Sequence, residues 1–119
     1  MIDAKVRDRA YDFNFIAPVE VIGAQEGILP ASMSLFRIDA SNVVIETIKK
    51  AEDSDHIILR LYEAENKRTV CTLNAAFEIA EAAETNLLEQ PEGVLAVSGN
   101  TVELTFKPFE LKTVRIRKA

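Results

Sequence analysis

Short apolar runs alternate with turn-forming residues over most of this chain. After Pro30 the runs recur at the spacing of about 8 to 12 residues that is typical of antiparallel all-β domains. The predicted strands are residues 33–39, 42–50, 56–64 and 68–76. The clearest local signal is Gly99-Asn100 between runs 94–98 and 101–107, because Gly at the first position of a two-residue loop predicts a type II′ hairpin. The pattern predicts an all-β fold, an antiparallel β-sandwich.

The N-terminal residues follow a different pattern and predict a short helical or extended tether. Apolar residues recur there at helical spacing, at Val6, Ala10 and Phe13. They predict a short helix over residues 3–13, which is marginal unless it docks on something. Prolines and glycines punctuate residues 15–30, so we expect an extended linker with room for one short strand at 19–22. We divide the chain into a tether, residues 1–28, and a β-sandwich domain, residues 29–119.

Two later segments break the simple alternation. Residues 78–90 are rich in Ala, Glu and Leu, and their propensity alone favours a helix. Beyond Pro108 the apolar phase flips twice, which predicts a bend or bulge near Pro108 and another near residues 112–113. We expect Pro108 to end the ladder and to let Phe109 turn inward as an anchor.

Composition narrows the choice of partners. A chain of 119 residues suits one domain, and its net charge of -5 argues against nucleic acid or an anionic membrane surface as partner. No apolar run approaches the roughly 20 residues of a membrane helix. The single cysteine, Cys71, cannot form an internal disulfide, so the expected compartment is the cytoplasm.

Little in the sequence points to catalysis. His56 is the only histidine, which excludes a multi-histidine metal site and favours a surface or structural role. Cys71 lies in a predicted strand and is expected to be a small buried hydrophobe. The acidic turn at residues 52–55 lacks the glycine and closing glutamate of an EF-hand loop, so a solvated turn is expected. We predict no catalytic, cofactor-binding or metal-binding residue in this chain.

Charged residues separate into an acidic series and a basic C-terminal end. The acids are Glu78, Glu81, Glu84, Glu89 and Glu92, and the bases are Arg115, Arg117 and Lys118. One interpretation is two solvated faces. The other is that the two sets pair across neighbouring strands or dock on another domain, although exposed ion pairs contribute little by themselves.

Arg60 and Tyr62 lie two residues apart and therefore share one face of a predicted strand. Arg60 could hydrogen-bond a carboxylate such as Glu110 or reach a neighbouring domain, or its stem could pack over the sheet. The candidate interdomain or structural contacts are Arg60, Tyr62, Pro108, Phe109 and Glu110.

Three sequence blocks occur in a recognisable order: residues 42–53 (NVVIETIKKAED), 58–63 (ILRLYE) and 104–113 (LTFKPFELKT). Their order and spacing resemble the C-terminal β domain of family 38 glycoside hydrolases, the α-mannosidases. Residues 29–36 and 83–89 are also similar to that family. The resemblance therefore covers nearly all of residues 29–116.

The resemblance implies a parent enzyme with an N-terminal α/β barrel that holds a zinc ion and a carboxylate nucleophile, a helical middle and C-terminal β sandwiches. None of the family's zinc or nucleophile motifs can be placed on this sequence. No cofactor is therefore expected in this chain, and zinc is expected in the missing catalytic domain. The resemblance also changes the expectation for residues 78–89 from helix to strand.

The implied function is that of a non-catalytic C-terminal domain of a larger α-mannosidase, with a supporting role. Its partners would be the remaining domains of the parent polypeptide, with a homo-oligomer interface also open, and the parent would hydrolyse α-mannosides. An alternative is a free-standing carbohydrate-binding or adhesion sandwich, which would need an exposed aromatic platform. The absence of Trp weakens that alternative. A third hypothesis, a small enzyme, predicts turnover of aryl α-mannosides by the chain with added zinc.

Overall fold

The structure, a computed structural model, describes residues 5–119 and divides into two compact units, Met1–Met33 and Ser34–Ala119. The first unit holds one helix, α1, Val6–Asn14, none of whose residues is buried. The expected helix is confirmed, although residues 3 and 4 of its predicted span lie outside the described residues. Among residues 5–119 no helix is long and apolar enough to span a bilayer.

The strand expected at residues 19–22 is wrong, because the chain has no regular secondary structure from residue 15 to residue 35. A strand forms only where a neighbouring strand satisfies its backbone hydrogen bonds, and these residues are paired with none. The linker part of the expectation is what the structure shows. Its apolar side chains are left in water, and Val21 is 95% exposed.

The second unit contains the β-structure. Its strands are β1 Phe36–Ile38, β2 Val43–Lys50, β3 Ile57–Glu63, β4 Thr69–Ala75, β5 Ile79–Thr85, β6 Pro91–Leu95, β7 Val97–Ser98, β8 Thr101–Phe106 and β9 Leu111–Lys118. They form a four-stranded sheet in the order β1-β4-β8-β7 and a five-stranded sheet in the order β2-β3-β9-β5-β6. Every pairing is antiparallel. The predicted antiparallel β-sandwich is confirmed.

One apolar core lies between the two sheets. In β8 the inward residues Val102, Leu104 and Phe106 are at most 2% exposed, as their alternation with polar residues predicts. The five-stranded sheet contributes Leu59 and Leu61, both fully buried, to the same cluster. The alternation along each strand thus fixes which face is covered by the opposite sheet.

Strand β5 occupies the segment whose composition favours a helix. The strand expected from the family resemblance is confirmed, and it pairs with both β6 and β9. The register against β9 shifts between Ile79 and Glu81, so the buried residues Ile79 and Ala82 lie three apart instead of two. A bulge in a strand therefore produced a spacing that is typical of a helix.

The apolar phase flips after β8 because the chain changes sheets. Strand β8 ends at Phe106, before Pro108 as predicted, and β9 begins at Leu111 in the other sheet. The bulge expected near residues 112–113 is wrong, since β9 pairs with β3 without a register shift. The consecutive residues Thr113 and Val114 are both buried. Both faces of the five-stranded sheet are therefore shielded from solvent at this point, and the apolar alternation is lost without a bulge.

The predicted hairpin at Gly99-Asn100 is present, but its first strand is divided. Gly99 has φ of 61° and Asn100 is not in the left-handed region, as a type II′ turn requires. Residues 94–98 were expected to form one strand. Instead Leu95 ends β6 in the five-stranded sheet and Val97 begins β7 in the four-stranded sheet, so the chain crosses between sheets at Ala96.

The core predicts a sharp contrast between two positions on β4. Leu73 is fully buried, whereas Val70 on the same strand is 63% exposed. We expect Leu73→Ala to lower the free energy of unfolding by about 2–5 kcal/mol, because it leaves a cavity between the sheets. The control Val70→Ala should change it by at most about 0.5 kcal/mol. Urea unfolding followed by circular dichroism measures both, and equal losses would contradict the assignment of the core.

Candidate functional site

The five residues predicted as contacts lie on the five-stranded sheet and on the turn that follows β8. On β3, Arg60 is paired with Thr47 on one side and with Thr113 on the other. Tyr62 lies next to Leu111, the first residue of β9. Pro108, Phe109 and Glu110 form the turn between β8 and β9, whose Glu110 carbonyl accepts a bond from the Glu63 backbone N–H at 3.0 Å. The structure therefore brings Tyr62 and the three turn residues to one end of the sheet.

Glu110, the carboxylate expected as one partner of Arg60, contacts other groups instead. The Glu110 carboxylate accepts a bond from the Lys107 backbone N–H at 2.7 Å and lies 3.5 Å from the Lys112 ammonium. The Nε of Arg60 is the one buried side-chain nitrogen or oxygen without a hydrogen-bond partner in residues 5–119. The charge of Arg60 helps to lower the pKa of the Glu89 carboxyl, after the larger effects of Lys49 and the Glu52 backbone N–H. Arg60 thus lies over the sheet with part of its bonding capacity unused.

Phe109 does not turn inward, and the expectation that it is an apolar anchor is wrong. Its side chain is 65% exposed. Its backbone has φ of 56°, a value that residues other than Gly rarely adopt. Its backbone N–H donates to Oε2 of Glu63 at 2.9 Å. The fold therefore fixes Phe109 through a backbone hydrogen bond and leaves its ring exposed.

The Glu63 carboxylate is the most buried charged group of the sandwich, at 1% exposure. Its Oε1 accepts bonds from the Asn42 side chain at 2.9 Å and from the Glu65 backbone N–H at 2.8 Å. With the bond from Phe109, this one side chain joins the connections β1–β2, β3–β4 and β8–β9. Sequence reasoning missed it, and the available signal was an acid at an inward position of β3, two residues after Leu61.

Opposing effects set the ionisation of Glu63. Burial raises the pKa of a carboxyl, but the bonds from Phe109, Asn42 and Glu65 stabilise the charged form and lower the pKa of Glu63 from 4.5 to about 2. A carboxylate with this pKa is ionised at neutral pH and is saturated by fixed donors. It therefore acts as a structural tie and is unsuited to general acid chemistry near neutral pH.

A second network of charged side chains covers the outer face of the five-stranded sheet. We call it the outer polar network; its members are Lys49, Asp53, His56, Glu81, Glu89, Arg115 and Arg117. Its central pairs are Lys49–Glu89 at 2.8 Å, His56–Glu81 at 2.9 Å and Arg117–Glu81 at 3.0 Å. Arg115 lies 3.4 Å from Asp53 and donates to Ser54 Oγ at 3.0 Å.

The ion pairs of the five-stranded sheet decide between the two interpretations of the charge pattern, solvated faces or pairing across strands. Glu81 pairs with Arg117 across β5 and β9, and Glu84 pairs with Lys112 of β9 at 2.7 Å. Hydrogen bonds from Arg117, and then from His56, lower the pKa of Glu81 to about 2. Pairing across strands is therefore the correct reading for these acids.

The candidate nucleophile and metal ligands have structural positions. Cys71 is 3% exposed in the core, and burial raises the pKa of its thiol to about 11, so it is a protonated hydrophobe as expected. His56 has its Nδ1 beside Ser54 and its Nε2 beside Glu81, each at 2.9 Å. No three His, Cys, Asp or Glu side chains in the described part of the chain could share a metal ion.

These features define a small antiparallel sandwich whose buried polar side chains hold its own loops. Residues 42–114 match the family described as "Glycosyl hydrolases family 38 C-terminal beta sandwich domain". The chain belongs to that family, and the matched region is its C-terminal β-sandwich domain.

Two proteins are similar to the chain along most of its length. It is 37% identical over 114 residues to alpha-mannosidase 2C1 of Homo sapiens, which covers 92% of the chain and 11% of that protein. It is 35% identical over 117 residues to alpha-mannosidase 2C1 of Mus musculus, which covers 94% of the chain and 11% of that protein. The chain thus spans about a tenth of the length of these relatives.

The Glu63 tie predicts the effect of a single substitution. Glu63→Gln removes the charge that three donors surround, and we expect the free energy of unfolding at pH 7 to fall by about 2 kcal/mol. Glu103→Gln, on an exposed position of β8, is the matched control and should be nearly neutral. Urea unfolding of both variants tests the difference.

The same tie predicts a pH dependence. Because the pKa of folded Glu63 lies below its ordinary value of 4.5, its contribution to stability is complete above about pH 5 and is lost as the pH falls through about 2. The stability gap between the unsubstituted chain and Glu63→Gln should therefore close on acidification. A gap that stays constant from pH 7 to pH 2 would show that the charge is not what stabilises the turns.

Proposed function

We propose that this chain is a non-catalytic supporting domain of a larger enzyme that hydrolyses α-mannosides. The observation that carries the proposal is how its buried polar side chains are used. Glu63 and Glu89 bind backbone donors of the chain itself, and His56 and Cys71 lie in a surface network and in the core. These four candidate groups thus have structural surroundings. The name of the two relatives, alpha-mannosidase, supplies the substrate class.

The remaining properties of the parent belong to the same proposal. Its catalytic groups, including the zinc ion, would lie in the part of the polypeptide that this chain does not cover. The domain would begin near residue 29, with residues 1–28 as a tether, and the polypeptide would work in the cytoplasm, where a free thiol such as that of Cys71 stays reduced. A homo-oligomer interface on this domain is a further part of the proposal.

In this proposal the domain contacts the rest of the parent enzyme through the residues predicted on β3 and on the β8–β9 turn. The Nε of Arg60 is buried and has no hydrogen-bond partner within the described chain, so the outer face of β3 carries a guanidinium group with unused bonding capacity. Tyr62, Pro108 and Glu110 lie at the same end of the sheet, beside the exposed ring of Phe109. We propose this end as the side that faces the rest of the enzyme.

The proposal predicts how activity divides between the parts of the polypeptide. The isolated 119-residue chain should not hydrolyse aryl α-mannosides, with or without added zinc, because it lacks the catalytic groups. The full polypeptide should hydrolyse them, and removing this domain should shorten its half-life at elevated temperature by about tenfold or more. Rates of aryl α-mannoside hydrolysis before and after heating measure both effects.

Two outcomes would contradict the proposal. Zinc-dependent turnover by the isolated chain would make it a small enzyme. Specific binding of the isolated chain to a glycan array, together with unchanged heat stability of the truncated polypeptide, would favour the carbohydrate-binding module.

A further inference from the structure

Large apolar side chains are exposed around a groove at one end of the sandwich. The groove has a volume of about 590 Å³ and lies between the β5–β6 loop, residues 86–90, and the start of β9. Leu87 and Leu88 in the loop are 59% and 79% exposed, and Leu111 on β9 is 46% exposed. The Phe109 ring, 65% exposed, is two residues from Leu111. Phe109 precedes the lining residue Glu110 but does not itself line the groove, so we call Leu87, Leu88 and Leu111 the apolar rim.

The loop that carries Leu87 and Leu88 is held in place by its own hydrogen bonds. Asn86 Oδ1 accepts bonds from the backbone N–H groups of Leu88 at 2.9 Å and Gln90 at 3.1 Å. Glu89 has a left-handed backbone with φ of 66°, and its side chain is 6% exposed. The Glu89 carboxylate accepts from the Glu52 backbone N–H at 2.9 Å. The leucines are therefore exposed on a fixed loop.

The Phe109 turn is built in the same way. Its left-handed backbone is held by the buried carboxylate of Glu63, as the Glu89 loop is held by its own buried carboxylate. Left-handed conformations of residues other than Gly cost free energy and persist only where their surroundings enforce them. Two strained, enforced turns thus present apolar side chains to solvent beside one groove, which is a preorganised surface for a partner.

The charges of the groove define the chemistry of that partner. Glu84, Glu92 and Glu110 line it, and Lys112 is the one basic side chain in the lining. Lys112 is already paired with Glu84 at 2.7 Å and lies 3.5 Å from Glu110. Three carboxylates against one ammonium group leave the groove negative. A complementary surface would present apolar side chains together with Lys or Arg.

We propose that the groove and its apolar rim bind an apolar and basic segment of the remaining polypeptide of the parent enzyme. This inference rests on the proposed function, because it needs a larger polypeptide around the domain. The chain spans only 11% of the relatives that it resembles, so most of their length lies outside it. A covalently linked segment has a high effective concentration at the groove, which favours it over a free partner.

Hydrogen exchange compares the isolated 119-residue chain with the full polypeptide that carries it. We expect the amides of residues 86–88 and 109–113 to exchange about tenfold more slowly in the full polypeptide, because the segment covers them. Equal exchange of these amides in the two proteins, with slower exchange at another face of the domain, would overturn the groove as the docking surface and leave the proposed function standing. Equal exchange throughout the domain would overturn both.

A pair of matched variants tests the contact itself. Leu88→Asp adds a carboxylate to the rim, whereas Val70→Asp adds one to the outer face of the four-stranded sheet, at 63% exposure. Both should leave the unfolding midpoint of the isolated chain nearly unchanged. In the full polypeptide, only Leu88→Asp should restore fast exchange at residues 109–113. Restored exchange in neither variant, or in both, would overturn the inference.

The oligomeric state of the isolated chain tests whether a second copy of the chain occupies the groove instead. We expect sedimentation equilibrium at micromolar concentrations to show no self-association through the groove, because an acidic groove does not complement a second copy of an acidic chain. A dimer that Leu88→Asp dissociates and Val70→Asp does not would overturn the proposed occupant and assign the groove to a second copy of the chain.

Discussion

The buried carboxylate of Glu63 is the interaction on which the arrangement of the loops depends. An ionised group with 1% exposure is stable only when donors replace its hydration, and here the donors come from three separate connections of the fold. Asn42 lies 21 residues before Glu63 and Phe109 lies 46 residues after it. The side chain therefore adds a link between parts of the chain that are distant in sequence and that meet at the end of the sandwich.

The same device occurs at the β5–β6 loop, where the Glu89 carboxylate binds the backbone of Glu52 and the ammonium of Lys49. In both places a buried acid holds a backbone in the left-handed region while nearby apolar side chains stay in water. The domain gains nothing for its own stability from this exposure. The two acids are best understood as supports for a surface, since each fixes a turn whose side chains point away from the core.

The parts of the fold that could be predicted from sequence are those controlled by neighbouring residues. The alternation of β8 and the Gly99-Asn100 turn need only short-range information, and both agree with the structure. The change of sheet at Ala96 could not be predicted, because a short apolar run has the same pattern whether it stays in one sheet or crosses to another. The composition of residues 78–90 favours a helix although they contain strand β5, and the bulge in β5 also separates its buried residues by three positions, as in a helix.

The candidate site was less predictable because its geometry depends on residues distant in sequence. Arg60 and Tyr62 could be placed on one face by the pleat, but the partners of Glu63 became visible only once three turns met. Phe109 shows the limit most clearly. A large aromatic side chain is usually well buried, but at Phe109 the backbone N–H donates to a buried carboxylate, φ is 56° and the ring is exposed. The satisfaction of a buried carboxylate has overridden the burial of one ring, and the result is an exposed aromatic side chain at the end of the sandwich.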